Sequence, residues 1–461
     1  MLNVLTDGIN YILSLGTSVM MPIIFFIFAI CLQVRFGKAI KAGLMVGVGF
    51  IGLNVITNLL TTSLAPAAKG MINNFGLHLN VIDVGWPAAS AIAFGSIVGA
   101  LIIPMGLLLN VVMLFTKTTQ TINVDIWNYW HFAFTGSLVA ILTKSIPMGL
   151  FAAAVNMIII MIIADMTAKG VERELHLPGI SIPHGFSASF VPIAVVINKL
   201  IDKIPKVRDI QLDSETLQNK IGVFGEPVFL GTVIGALIGI VAGFDVKGVT
   251  NLAVTMGAVL VLIPKMAAVL MEGLMPVSEA AQNLVTSKFK NSGKIYIGLD
   301  SAVSIGHPTT LVVSLLMIPI TLFLAVIIPG NNFLPFASLS GLPFMFVMIV
   351  AVTRGNLFRT LICGVFFSTF GILFATVLAP LFTMAAKVVN FAMPAGANTV
   401  VSSLDYAGSP LAWVLVELMN YKIIGVLIIL IPTLLFMLYN RKRILKEAKL
   451  IHESVNEKAQ L

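Results

Sequence analysis

Uninterrupted apolar runs constrain this chain more than any motif does. They recur along nearly all of its 461 residues, from a first run at about Tyr11–Val34 to a last one that stops before Arg441-Lys442-Arg443. Strands of an outer-membrane barrel alternate apolar and polar residues, so continuous runs exclude that architecture. A soluble domain carries about 25% charged residues; here the share is 10%, with 58% hydrophobic residues and a mean hydropathy of +1.01. At about 20 residues per crossing, the roughly 267 apolar residues suffice for on the order of ten helices. A soluble enzyme, a disordered regulator and a nucleic-acid-binding domain are excluded. The chain reads as an all-α polytopic membrane protein.

The net charge of +8 marks cytoplasmic loops rather than a surface for an anionic polymer. Arg35, Lys38 and Lys41 follow the first run at once, whereas the segment before it holds Asp7 and no basic residue. The positive-inside rule then places the N-terminus outside and the basic tail, with Lys446 and Lys449, in the cytoplasm, which requires an odd number of crossings. A hydrophilic loop at Lys199–Lys220 splits the chain near its middle, and Lys288, Lys290 and Lys294 mark a second internal loop. No basic segment precedes the first run, so no cleavable leader is expected. Cys31 and Cys363 lie apart in apolar stretches and make no disulfide framework, zinc site or CxxC centre. The sequence has no GxxxxGK(S/T) loop, GxSxG elbow or HExxH pair. Transport driven by this chain's own ATP hydrolysis is therefore not expected, and neither is a cofactor or metal.

Short proline-centred pieces recur in the same order in both halves. Met21-Pro22 pairs with Glu226-Pro227, and Ser63-Leu64-Ala65-Pro66 with Gly273-Leu274-Met275-Pro276. Gly85-Trp86-Pro87 pairs with Gly306-His307-Pro308, and Ile102-Ile103-Pro104 with Ile327-Ile328-Pro329; the separations grow through 205, 210, 221 and 225 residues. An odd number of spans per repeat would give the halves opposite topology, an arrangement found in many secondary transporters. Two of these places, Asp83–Pro87 and Asp300–Pro308, gather an acid, a glycine and a proline at the start of an apolar run. Helix kinks explain isolated prolines; re-entrant hairpins lining a cavity explain the whole cluster. Gly231, Gly235, Gly239 and Gly243 share one helix face and let a neighbouring backbone approach, in the same subunit or in a second one.

Ionisable groups in apolar surroundings are expensive and face a cavity or a partner. The candidates are His131, His184, Glu226, Asp300 and His307. Tyr129 and Trp130 beside His131 also fit an interfacial aromatic belt, and Glu226 fits a helix N-terminal cap. Asp165, Glu172, Arg173 and Glu174 read as loop residues near the end of a span.

Gly298-Leu299-Asp300-Ser301-Ala302-Val303-Ser304-Ile305-Gly306-His307-Pro308-Thr309, the Ile328-Pro329-Gly330-Asn331-Asn332 turn and Phe224-Gly225-Glu226-Pro227 resemble the galactitol-type enzyme IIC (EIIC). This is the membrane subunit of a bacterial phosphoenolpyruvate-dependent sugar phosphotransferase system, in the ascorbate–galactitol superfamily. The resemblance covers about residues 6–440. It implies a homodimer in the bacterial inner membrane, with about eleven spans per subunit. Residues 1–198 and 221–409 would form inverted five-span repeats around the 199–220 cytoplasmic loop, followed by a final helix at 410–438 and a cytoplasmic tail at 439–461. A V-shaped dimerisation domain, a core domain with two re-entrant hairpins and an elevator-like movement come with it.

The resemblance further implies galactitol or a related polyol as substrate, phosphorylated on the cytoplasmic side by a IIB protein (EIIB) that carries a phosphocysteine and is charged through IIA (EIIA). The cysteine motif of IIB is missing here, so this chain would not itself be phosphorylated. By analogy with the ascorbate relative, Asp83, Trp86, His131, His184, Asp300 and His307 would contact substrate. Asp300 would either orient the polyol or act as general base on the attacking hydroxyl. An ion-coupled transporter of a sugar or polyol is the alternative, and a non-transporting receptor or scaffold is a second.

Overall fold

A computed structural model describes residues 22–23, 26–27, 29–75, 81–123, 125, 127–212, 227–288, 294–335, 337–389 and 400–459. Most of the first predicted span, Glu226, Lys290 and the second part of the 199–220 loop lie outside the described residues. The first half of the chain carries α1 (Phe36–Phe75), β1 (Val81–Asp83), α2 (Gly85–Gly95), α3 (Ile97–Phe115) and β2 (Thr121–Asn123). It continues through α4 (Trp127–Thr143), α5 (Ile146–Glu174), β3 (Ile180–Ser181) and α6 (Gly185–Asp202). The second half has α7 (Pro227–Val241), α8 (Val246–Lys288), β4 (Tyr296–Gly298), a 3-10 turn at Ser301–Ser304, α9 (Pro308–Ile327), α10 (Leu342–Thr353) and α11 (Leu357–Val388). It ends with β5 (Val400–Ser402), α12 (Leu404–Ala407), α13 (Pro410–Met419) and α14 (Ile423–Ala459). Among the described residues, α5, α6, α9, α11 and the Ile423–Leu450 part of α14 are long and apolar enough to cross a membrane.

The helix starts follow local chemistry. Ser96, Ser145, Asn356 and Ser409 accept the N–H of Gly99, Met148, Arg359 and Ala412, satisfying donors that lipid cannot. Pro308 occupies the first turn of α9, where its missing N–H costs nothing. Pro87 likewise falls in the first turn of α2, so the Gly85-Trp86-Pro87 and Gly306-His307-Pro308 pieces both open helices after a short strand. Pro104, by contrast, is inside α3, whereas Pro329 follows the end of α9. That pair does not occupy equivalent positions.

Two readings of the sequence change. The glycine stripe packs within the same chain: a β-carbon on Gly235 would meet Leu252 O at 2.7 Å, and one on Gly239 would meet Val249 Cα at 3.1 Å, both on α8. Asp165, Glu172, Arg173 and Glu174 are not loop residues but belong to α5, and Asp165 is buried. Its carboxylate is compensated there by Gln120 N, Thr121 Oγ1 at 2.8 Å and Asn440 Nδ2 at 2.7 Å.

Two very small parallel sheets tie the halves together. β1 pairs with β5, and Val81 also bridges Phe333. In the second sheet β4 lies between β2 and β3. Each sheet therefore takes its middle strand from one half of the chain and its outer strands from the other.

Candidate functional site

The segment after each middle strand turns sharply into a helix or helical turn, and polar side chains gather there. At the end of β1, Gly85 adopts a φ of +68°, and a β-carbon would meet Ala337 Cβ at 2.8 Å. Only glycine fits that turn. Asp83 holds it together: Oδ1 accepts Gly85 N–H at 3.0 Å and Ser338 Oγ–H at 2.7 Å, while Oδ2 accepts Ser338 N–H at 2.7 Å. Ser338 Oγ in turn accepts Leu404 N–H at 2.8 Å.

At the end of β4, Asp300 opens the 3-10 turn and accepts Ala302 N–H on Oδ1 at 2.7 Å. Its own N–H donates to Asp125 Oδ2 at 2.9 Å, and Asp125 Oδ1 accepts Trp127 N–H at 3.0 Å. The second oxygen of Asp300 faces His184 Nε2 at 3.6 Å. That is too long for a direct hydrogen bond. His184 caps α6 by accepting Ser187 N–H on Nδ1 at 3.2 Å. A neutral ring with an accepting Nδ1 carries its proton on Nε2, so the N–H is aimed at the Asp300 carboxylate. His131 lies edge-on to His184 with ring centroids 4.3 Å apart, stacks on Trp130 at 3.9 Å and tilts against Tyr406 at 4.9 Å. Gly185 permits this approach, since a β-carbon there would come 2.5 Å from His131 Cβ.

Asp125 and Asp300 lie in loops between helices, and both are buried. Burial raises the carboxyl of each above the ordinary range, and the charge of Asp300 raises Asp125 further. A carboxylate raised in this way is a better proton acceptor than a solvated one.

Around this core several buried polar atoms have no hydrogen-bond partner among the described residues: Trp86 Nε1, Asn123 Nδ2, Asn128 Oδ1, His131 Nδ1 and Ser301 Oγ. They offer donors, acceptors and a hydroxyl without a net charge, and a buried polar group left unpaired costs roughly 1–3 kcal/mol. Trp86 joins the group through an edge-to-face contact with Trp127, ring centroids 6.0 Å apart.

Of the six residues selected from the sequence, His131, His184 and Asp300 come together directly, and Trp86 packs against Trp127. Asp83 sits at the end of the other sheet with both oxygens engaged. His307 caps α9 and has Glu174 and His176 as its electrostatic neighbours. Sequence reasoning missed Asp125, Trp127, Asn123, Asn128 and Tyr406. The Asn-x-Asp-x-Trp-Asn run at 123–128 carried the available signal for the first four, a polar cluster at the head of an apolar helix. Tyr406 has no local signal; its hydroxyl reaches Thr135 Oγ1 at 3.0 Å and Asn156 Nδ2 at 2.6 Å across the fold.

Residues 11–396 match the family described as "PTS system sugar-specific permease component". A "Putative permease IIC component" of Escherichia coli K12 is 42% identical over 438 residues, covering 95% of this chain and all of the relative. A "PTS system galactitol-specific EIIC component" of the same organism is 41% identical over 450 residues, covering 97% of this chain and 99% of the relative. The protein of that description in Escherichia coli O157:H7 is equally similar.

Proposed function

Because the chain belongs to the family of phosphotransferase-system sugar-specific permease components, we propose that it carries galactitol or a closely related hexitol across the membrane. The observation behind this reading is the set of orphaned donors and acceptors around His131, His184 and Asp300. A polyol hydroxyl both donates and accepts. A neutral, hydroxyl-rich molecule therefore matches the chemistry of Trp86 Nε1–H, Asn123 Nδ2–H, Asn128 Oδ1, His131 Nδ1 and Ser301 Oγ. An anionic sugar would be repelled by the carboxyls of Asp125 and Asp300.

In this proposal Asp300 accepts a hydrogen bond from the hydroxyl that will be phosphorylated, and His184 orients the carboxylate. When a phosphocysteine of EIIB, itself charged by EIIA, presents its phosphoryl group, Asp300 draws the proton from that hydroxyl as it attacks phosphorus. The cysteine sulfur departs with the electron pair of the broken S–P bond. Asp83 shapes the hairpin at the end of β1 rather than touching substrate.

The strand pairing supports inverted repeats. Val81, Thr121 and Ile180 correspond in role to Tyr296, Phe333 and Val400, at separations of 215, 212 and 220 residues. These fall within the range of the proline-centred matches. A dimer of about eleven spans per subunit, with α1, α7 and α8 forming the dimerising body and an elevator-like movement of the rest, is consistent with a further feature. Leu44, Val48, Ile51, Val55 and Leu59 of α1 form an exposed apolar stripe that requires cover by lipid or a second copy. In this arrangement the basic tail from residue 439 onward, which continues α14, lies in the cytoplasm of the host bacterium.

Uptake of labelled galactitol into vesicles with and without phosphorylated EIIB inside tests the reading. Galactitol phosphate as the product, insensitive to ionophores, is the expected result. Free galactitol accumulating on an ion gradient would overturn it.

A further inference from the structure

A polar cavity of about 180 Å³ lies at the far end of α6 from His184. The 18 residues of α6 separate the two places by roughly 25 Å at about 1.5 Å per residue. The cavity is lined by Asn198, Asp202, Arg208, Arg354, Asn356 and Arg359, among others. Three arginines thus face one carboxylate, a balance that rejects cations.

The arginines are not equivalent. Arg359 is already fixed: Nη1 donates to Asn198 Oδ1 at 2.6 Å and Asp202 Oδ1 at 2.7 Å, and Nη2 to Arg208 O at 3.0 Å. Its side chain is only 12% exposed. Arg354 lies at the wall with no hydrogen bond or ion pair to its guanidinium among the described residues. Its backbone is left-handed, with a φ of +57°, a conformation disfavoured for a side chain of this size. Among the described residues, the Arg208 guanidinium has only a long, solvent-exposed contact with Asp209 at 3.4 Å. The N-terminus of the 32-residue helix α11, capped by Asn356, borders the same space.

We propose that this cavity binds the phosphate group of a small phosphate monoester, gripped by Arg354 and Arg208 against a wall preset by Arg359 and the start of α11. Planar guanidinium forks match phosphate oxygens in pairs, and a helix N-terminus adds favourable partial charge. The volume leaves room for several atoms beyond the phosphate but not for a folded domain. A structural link joins this cavity to the first site. Thr309, in the first turn of α9 just after the segment that begins with Asp300, donates to Gly355 O at 3.2 Å, in the turn that carries Arg354. The inference does not depend on which polyol is carried.

The full chain in phosphatidylcholine nanodiscs is titrated calorimetrically with inorganic phosphate and with a hexitol phosphate. Saturable binding is expected, weakened at least tenfold in Arg354→Gln, further in the double variant with Arg208→Gln, and only partly in Arg354→Lys. It should persist in Asp300→Asn, which separates it from the polyol site. Stronger binding of the ester identifies a sugar phosphate; equal binding identifies free phosphate. Loss of the signal in phosphatidylglycerol discs identifies a lipid headgroup phosphate in the same cavity. No saturable binding, or an Arg354→Gln protein with normal thermal stability and unchanged affinity, would overturn the proposal.

Discussion

At the end of the β1–β5 sheet, both oxygens of Asp83 are taken up by Gly85 and Ser338. At the end of the β2–β4–β3 sheet, Asp300 keeps one oxygen on Ala302 N–H and presents the other to His184 at 3.6 Å. Similar local architecture thus ends in a closed knot in one place and an open cluster in the other. A half-buried acid whose oxygens are all engaged by protein donors, Gly85 N–H in its own turn and Ser338 across the fold, is a fastener. One with an oxygen left over, beside unpaired donors, is prepared for something that arrives.

The sharpest way to break this comparison is to substitute the two acids in parallel. Asp300→Asn is expected to weaken galactitol binding by more than about 100-fold, as befits loss of a charged hydrogen-bond acceptor, while thermal unfolding stays near wild type. Calorimetry beside a melting curve reads both; unchanged affinity would remove Asp300 from the site. Asp83→Asn should do the reverse. An amide cannot accept all three hydrogen bonds, so stability falls by about 1–3 kcal/mol, and the folded fraction still binds. Loss of binding in folded Asp83→Asn protein would erase the distinction between knot and cluster.

Acidification sharpens it further. Burial raises the Asp125 and Asp300 carboxyls, whereas in an unfolded chain they ionise near pH 4. Between those limits the folded state holds more protons than the unfolded one, so their contribution to stability rises as pH falls through the window. Affinity moves oppositely, because protonation removes the acceptor offered to a hydroxyl. Relative to Asp300→Asn, the wild type should gain stability and lose affinity several-fold on moving from neutral to mildly acid pH. Affinity that holds constant over that range would show that the ionised oxygen is not used. The smallest effect is expected from Trp86→Phe, which keeps a ring against Trp127 and removes one donor. A three- to tenfold loss of affinity corresponds to one neutral hydrogen bond, and no loss would place Trp86 outside the ligand's reach.

The membrane character and three of the central side chains were legible because each is conspicuous in an apolar sequence. The cost of an ionisable group in such surroundings singled out His131, His184 and Asp300, and the acid–glycine–proline cluster at 83–87 singled out Asp83 as well. That rule weighs a side chain's expense; it does not say whether the group's partners come from its own turn or from a ligand. Asp125 escaped because it lies in a short polar stretch that also reads as an ordinary loop. Tyr406 escaped because its partners Thr135 and Asn156 are about 250 or more residues away. The strands, at two or three residues each, are too short to show an alternating pattern, so the feature that brings the site together left no periodic trace.

The exchange of strands between halves also dictates when this protein can be finished. Val81 emerges from the ribosome 319 residues before its partner Val400, and β2 must wait for β4 to be made. At about 5–20 residues per second that interval is on the order of 15 seconds to a minute. Through it, the strands of the first half wait without their partners. Neither half is then an independent folding unit, and two separately synthesised halves should each be short-lived alone yet protect one another from degradation when made together.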